Sequence, residues 1–269
     1  MTCSYLNIAT LNLLNDLTFW KERRSLIVSE LRRSMPDVVA LQEVSVQISN
    51  AHWIAEQLGG YEVYLCPKSN GLGAHEGLAI LSRLPVEKHE TLAFGQQGRV
   101  AQRAMLLKGG QRWVVANTHL YWSPFDDPIR RRHAHRLLAW LGDDLPTVLC
   151  GDFNSLPHYK ALTHLRQRFA SAHVVHHGRE PDFTFPTPLK RGPGLRHSAR
   201  RAALRLIGQV IDRRRSAWQG TVDYIFIDRG IHVLKCGVLF NKPAEHDSLL
   251  FPSDHYGLAA SLALSSLDR

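Results

Sequence analysis

Five short stretches of the 269-residue chain set beside an apolar run, and a sixth sets before one, a group that could bind a cation, hold a proton or orient water. Asn12 follows residues 6–11, Glu43 follows 38–41, and His119 closes 114–118. Asp152 and Asn154 follow 148–150, Asp223 sits inside 221–227, and Asp254-His255 lies between Pro252 and a strand-like run that opens near Gly257. Each has a bland meaning alone: an Asn or Asp at a strand end usually caps a turn, and a single Glu or His is usually solvated. Together they describe a chemistry. Carboxylate and amide oxygens suit a hard divalent cation such as Mg2+, whereas zinc would ask for more His and Cys. A phosphoester repels an incoming hydroxide. A cation that neutralises phosphoryl charge, a carboxylate that orients or deprotonates water, and an imidazolium facing the pentacovalent centre answer that repulsion. The six stretches hold all three kinds of group.

Residues so far apart meet only if the fold sets their strand ends along one rim. The pattern supplies such strands. Runs at 4–11, 38–41, 61–66, 78–82, 147–150, 222–227, 233–239 and 258–264 read as strands, and 101–107 and 112–118 flank Gly109-Gly110 as a hairpin. Phe19, Arg23, Ile27 and Leu31 share a helical face that Pro36 stops, and 51–58 forms a helix closed by Gly59-Gly60. Asp127-Pro128 caps a third helix, with Ile129, His133, Leu137, Trp140 and Leu141 on one face. About ten strands and four or five helices, several joined too tightly for helical crossovers, predict two packed sheets with helices outside. The expectation is one domain over 1–269 with an insertion at about 188–218.

In chain order, the stretches resemble a known family. ATLN around Asn12, Leu41-Gln42-Glu43, Glu76-Gly77-Leu78-Ala79-Ile80, Asn117-Thr118-His119-Leu120, Gly151-Asp152-Phe153-Asn154, Val222-Asp223-Tyr224-Ile225 and Ser253-Asp254-His255 are similar to the motifs of the endonuclease/exonuclease/phosphatase superfamily. The resemblance runs through nearly the whole chain. It implies a four-layer α/β/β/α sandwich of two mixed sheets with helices outside, and hydrolysis of a phosphodiester with Mg2+, for which Mn2+ would substitute. It implies Glu43 as principal metal ligand, helped by Asn12 and Asp254. Asp152, with Asn154 beside it, would activate or position water, while His255, oriented by Asp223, and His119 would contact the scissile phosphate from two sides. It further implies that Glu76 orients His119 and that Arg103 contacts phosphate. Some members carry an acid two residues after the first Asn; here that position is Leu14, so a second metal site using that acid does not carry over. Residues 115–122 and 149–157 look like the deadenylase and nocturnin branch, which acts on RNA 3′ ends or nucleotide phosphates.

Composition bounds the rest. Hydrophobic residues at 44% and charged ones at 21% are ordinary for a globular protein. Four scattered cysteines form no C-x-x-C pair, which argues against a disulfide scaffold. The N-terminus has no basic n-region and no apolar run approaches a membrane span, so a cytoplasmic monomer without a transmembrane segment is expected. Of the net charge of +9, +8 lies between Pro188 and Trp218, where nine Lys and Arg face one acid. Ala199, Ala202, Ala203, Leu206, Ile207, Val210 and Ile211 there share one helical face. Arg200, Arg201 and Arg205 on the other side predict an anionic partner: nucleic acid, or alternatively an anionic lipid surface. The expected activity is a nuclease, endo- or 3′-exo-, on DNA or RNA, with a phospholipid or inositol-phosphate phosphoesterase as the alternative.

Overall fold

The computed structural model describes residues 5–123, 125–190 and 219–264. In chain order these form β1 (Tyr5–Asn12), α1 (Trp20–Ser34), β2 (Val38–Ser45), α2 (Asn50–Leu58), β3 (Glu62–Pro67), β4 (Glu76–Ser82), β5 (Val86–Ala93), β6 (Val100–Lys108), β7 (Gln111–His119) and α3 (Pro128–Leu141). Then follow β8 (Thr147–Asp152), α4 (Lys160–Leu165), β9 (Phe169–Ser171), α5 (Ala172–His177), β10 (Asp223–Asp228), β11 (Ile231–Leu239) and β12 (Gly257–Leu264).

Two six-stranded sheets result, in the orders β11-β12-β1-β2-β4-β3 and β5-β6-β7-β8-β10-β9. Each holds one parallel pair, β1 with β2 and β7 with β8, and is otherwise antiparallel, so both are mixed as expected. Central strands are buried on both faces, which is why they read as unbroken apolar runs. Their alternation assigns each face. Ile8, Val38, Ala40 and Ile80 of the first sheet meet Val115, Val148, Ile225 and Ile227 of the second in a shared core. Their neighbours Ala9, Leu11, Val39 and Leu41 turn outward under Ile27 and Leu31 of α1 and Ile54 of α2. Ala116, Leu149 and Phe226 turn outward under Leu137 of α3 and Leu162 of α4. The layers are therefore helix, sheet, sheet, helix.

A buried amide pair pins the sheets together. Gln42 Nε2 donates to Asn117 Oδ1 across 2.7 Å, and Asn117 Nδ2 donates to the carbonyls of Leu41 and Ala79 at 2.9 and 3.0 Å. Unpaired, such buried groups would cost about 1–3 kcal/mol each. The middle residue of one motif and the first of another thus set the sheet-to-sheet register next to Glu43 and His119.

Among the described residues there are twelve strands, where the sequence pattern showed about ten. β5 is an edge strand solvated along most of its length, so it lacks apolar alternation, and β9 spans three residues. α4 and α5, six residues each, are too short for helical periodicity to register. No described helix is long and apolar enough to cross a membrane. The helical face expected within 199–211 lies outside the described residues.

Candidate active site

Strand register gathers the site. In parallel β7 and β8, His119 stands opposite Asp152, and antiparallel β10 sets Asp223 opposite Asp152 as well. Residues 119, 152 and 223 therefore form one row across the second sheet. Gly151 permits this approach: its φ is +145°, and a Cβ there would sit 2.0 Å from the Thr118 carbonyl oxygen.

In the first sheet Asn12 pairs with Gln42 in parallel register. Regular pleating would send Glu43 to the opposite face from Gln42. Instead the β2–β4 pairing slips between Leu41 and Val44, and Glu43 adopts a φ of 53°. This bulge re-aims the carboxylate to the strand end, beside Asn12. Asn12 Nδ2 donates to Glu43 Oε1 at 3.3 Å and, across the gap between sheets, to Asp152 Oδ2 at 3.1 Å. Asn12 Oδ1 accepts the Leu14 amide at 3.0 Å. Asn12 thus presents nitrogen to both carboxylates and aligns them.

His119 Nε2 lies 3.3 Å from Asp152 Oδ2, and His255 Nε2 lies 4.0 Å from the same oxygen. His255 Nδ1 is 2.9 Å from Asp223 Oδ2. Asp152 Oδ1 accepts the Asn154 amide at 2.8 Å, helped by the left-handed Asn154 backbone, while Asn154 Nδ2 donates to the Leu120 carbonyl. Asp254 is buried next to this group, its Oδ1 4.0 Å from His255 Nε2.

Burial sharpens the electrostatics. It opposes the charge of His255, but Asp223, and behind it Asp152 and Asp254, outweigh burial and raise the imidazole pKa to about 10. Burial likewise opposes ionisation of Asp152, yet His119 and His255 hold its pKa well below the usual carboxylate range. Glu43 is also held low: burial and Asp254 push it up, while His119, the Asn15 amide and His255 pull it further down. A weakly basic Asp152 suits orienting water more than storing its proton.

Several supports carry no obvious sequence signal. Ser253 Oγ donates to the Asn12 carbonyl at 2.6 Å and accepts the His255 amide. Asn15 donates its amide to Glu43 Oε2 and its side chain to Glu76. Thr184 Oγ1 accepts the amides of Val222 and Asp223, and its carbonyl accepts from Tyr256. The Phe185 ring lies 4.5 Å from the His255 ring, and Thr187 hydrogen-bonds the backbone of Ser253 and Asp254. Arg23 did leave a signal, a lone cation on an apolar helical stripe. Its buried guanidinium donates to the carbonyls of Leu13, Asp16 and Pro252, joining the loop after Asn12 to the loop before Asp254.

Two expectations are corrected, and a third lies outside the described residues. Arg103 does not join the site. Ala104 faces the inter-sheet core, so the pleat turns Arg103 outward, where it binds Glu90 and the carbonyls of Trp140 and Leu141 at the end of α3. Glu76 does not hold His119: it pairs with Lys68, Arg99 and Asn15, and His119 Nδ1 has no hydrogen-bond partner among the described residues. Arg200, Arg201 and Arg205 lie outside the described residues. Asn12, Glu43, His119, Asp152, Asn154, Asp223, Asp254 and His255 are brought together. Asp152, Asp223 and His255 offer ligand atoms within 4.8 Å of one another.

The arrangement has relatives. The sequence model of the Endonuclease/Exonuclease/phosphatase family matches residues 9–255. Bos taurus 2',5'-phosphodiesterase 12 is 25% identical over 287 residues, covering 89% of this chain and 45% of that protein. Rattus norvegicus nocturnin is 22% identical over 274 residues, covering 91% and 59%. The chain therefore spans about half the length of these curated relatives. The crystal structure of D. rerio TDP2 complexed with single strand DNA product superposes with a TM-score of 0.76 at 16% identity, covering 96% of this chain and 98% of that one, a likeness of fold.

Proposed function

Since the chain belongs to the endonuclease/exonuclease/phosphatase family, we propose that it is a Mg2+-dependent phosphodiesterase that hydrolyses nucleic acid, as an endo- or 3′-exonuclease. The observation that carries this reading is the shared focus of His119, Asp152, Asp223 and His255 on one side and Asn12 and Glu43 on the other, hydrogen-bonded at the sheet ends.

Glu43 and Asp254, with Asn12 beside them, would hold Mg2+, and Mn2+ would substitute. The donor set fits: the acids supply hard oxygens, and each carboxylate's charge disfavours the other's unless a cation lies near. Bound there, the cation would neutralise charge on the phosphoryl and leaving oxygens. The chain's own groups do the rest. Asp152 accepts a hydrogen bond from the attacking water and fixes its line of approach. His255, kept protonated against Asp223, presents Nε2–H to the phosphoryl oxygens as their charge grows. His119 approaches the same centre from the β7 side.

The substrate assignment draws support from the relatives, since one is a 2',5'-phosphodiesterase and a structural neighbour holds a single-strand DNA product. Arg200, Arg201 and Arg205 are retained as proposed contacts to the polyanion. The test is a hydrolysis panel of single- and double-stranded DNA, RNA and phospholipid vesicles with Mg2+, Mn2+ or EDTA. Metal-dependent cleavage of a nucleic acid is expected. Hydrolysis of lipid headgroups with every nucleic acid left intact overturns the reading.

A further inference from the structure

Arg23 is fully buried on α1, yet each of its five N–H donors has a carbonyl to meet. Nε donates to Thr18, Nη1 to Leu13 and Pro252, and Nη2 to Leu14 and Asp16. The bonds to Leu13, Pro252 and Asp16 each measure 2.9 Å. Burying a guanidinium is costly, and a Leu or Met on this apolar stripe would pack without that cost. Packing alone therefore does not account for a cation here.

The five carbonyls belong to the two loops that hold the proposed cation ligands. In the loop after β1, Leu14 gives its amide to Asn12 Oδ1 and Asn15 gives its amide to Glu43 Oε2. Leu14 has a φ of 62°, a left-handed conformation that persists only where the surroundings hold it. In the other loop, Pro252 lies two residues before Asp254, and Ser253 Oγ between them donates to the Asn12 carbonyl. One guanidinium thus spans the seam where Asn12, Glu43 and Asp254 meet. Its charge acts in another sense. Burial lowers its pKa to about 10 against the opposing pull of Asp254, Asp16 and Glu43, so Arg23 stays cationic at neutral pH. A fixed positive charge so near repels an incoming divalent ion. Whatever Arg23 gives this site, it gives through geometry.

We propose that Arg23 is a positioning residue for the cation: its guanidinium locks the loop after β1 against the loop before Asp254, and that fixed spacing raises the affinity for a divalent ion. The inference rests on the cation reading of the site and deepens it. With the loops already locked, binding costs little further ordering of the chain.

The test measures Mn2+ binding to the full chain by electron paramagnetic resonance of the free ion. The Mn2+-induced rise in melting midpoint is measured beside it. Arg23→Lys keeps the charge and loses the planar fork, while Arg23→Gln loses both. Each should bind Mn2+ roughly ten- to a hundredfold more weakly than wild type and show a smaller rise. The rise is taken from each variant's own metal-free midpoint, so a destabilised variant still reports its affinity. Leu137→Ala, a core truncation beneath α3, is the stability control and should keep wild-type affinity. The positioning role is overturned if Arg23→Lys matches wild type or if Arg23→Gln binds as tightly or more tightly. It is also overturned if Leu137→Ala weakens Mn2+ as much as either. A wild type that binds no Mn2+ overturns the cation reading and this inference together. Arg23-dependent Mn2+ binding in a protein that cleaves no nucleic acid leaves this inference standing and overturns the nuclease reading.

Discussion

Asn12 at the end of β1 donates its amide to Asp152 Oδ2 at the end of β8, a 3.1 Å hydrogen bond that joins the two sheets at the site. The same amide reaches Glu43 Oε1. Asn12→Ala should therefore lose alignment of two carboxylates at once, lowering kcat by roughly two to three powers of ten with a smaller change in KM. Steady-state kinetics decide it, and an Asn12→Ala enzyme within a few-fold of wild type would remove Asn12 from the machinery.

Glu43 is held ionised beside Asp254. Glu43→Gln keeps the size of the side chain and removes its charge, so kcat should fall roughly a hundredfold or more. EDTA should abolish wild-type activity, and Mg2+ or Mn2+ should restore it. Full activity of the variant at saturating Mg2+ contradicts the ligand assignment.

Asp223 and His255 form one hydrogen-bonded unit. Asp223→Asn and His255→Ala should lose comparable rate, and the double variant should be little worse than either, because residues acting together are not additive. Losses that multiply cleanly would show that the two work apart.

Thr184 contacts no reacting atom in this scheme, yet its hydroxyl accepts the amides of Val222 and Asp223. It is a positioning residue. Thr184→Val should lower kcat by about tenfold with KM little changed, and Thr184→Ser, which restores the acceptor, should recover the rate. If Val and Ser behave alike at equal thermal stability, the hydroxyl has no part in holding Asp223.

His133 on α3 is buried against Phe94, with ring centroids 4.4 Å apart, and Nε2 lies 3.1 Å from Gln96 Oε1. Burial, reinforced by Arg136, Arg99, Arg132 and Arg130, pushes its pKa down to about 4. The unfolded imidazole titrates near 6.5, so between these values the unfolded chain binds the proton that the fold refuses. The resulting stability is intact above about pH 6.5 and declines as pH falls toward 4. Between pH 6.5 and 5 this residue should account for a loss of roughly 1–2 kcal/mol. Urea midpoints at the two pH values should therefore converge more in His133→Gln than in wild type, and identical pH dependence in both would count against a buried neutral imidazole.

The sequence by itself determined the two-sheet sandwich and picked out eight residues that the fold gathers at the sheet ends, because both are written in local pattern. Apolar runs such as 38–41 and 147–150 identify strands buried on both faces, and the polar residue that ends each run marks the rim. Only the tertiary structure decided which partners each of those groups meets. Whether Arg103 of β6 meets phosphate depends on the pleat, which turns it away from the site and toward α3. Whether Glu43 faces the site depends on one slipped register in β2. Ser253, Thr184 and Asn15 gain their roles from partners supplied by distant strands and loops, and a hydroxyl or amide carries no mark of a partner 241 residues away. Periodicity along a chain fixes which face a residue takes within its own strand. The partner across the gap is set by how two sheets and their loops close on each other, which no local spacing encodes.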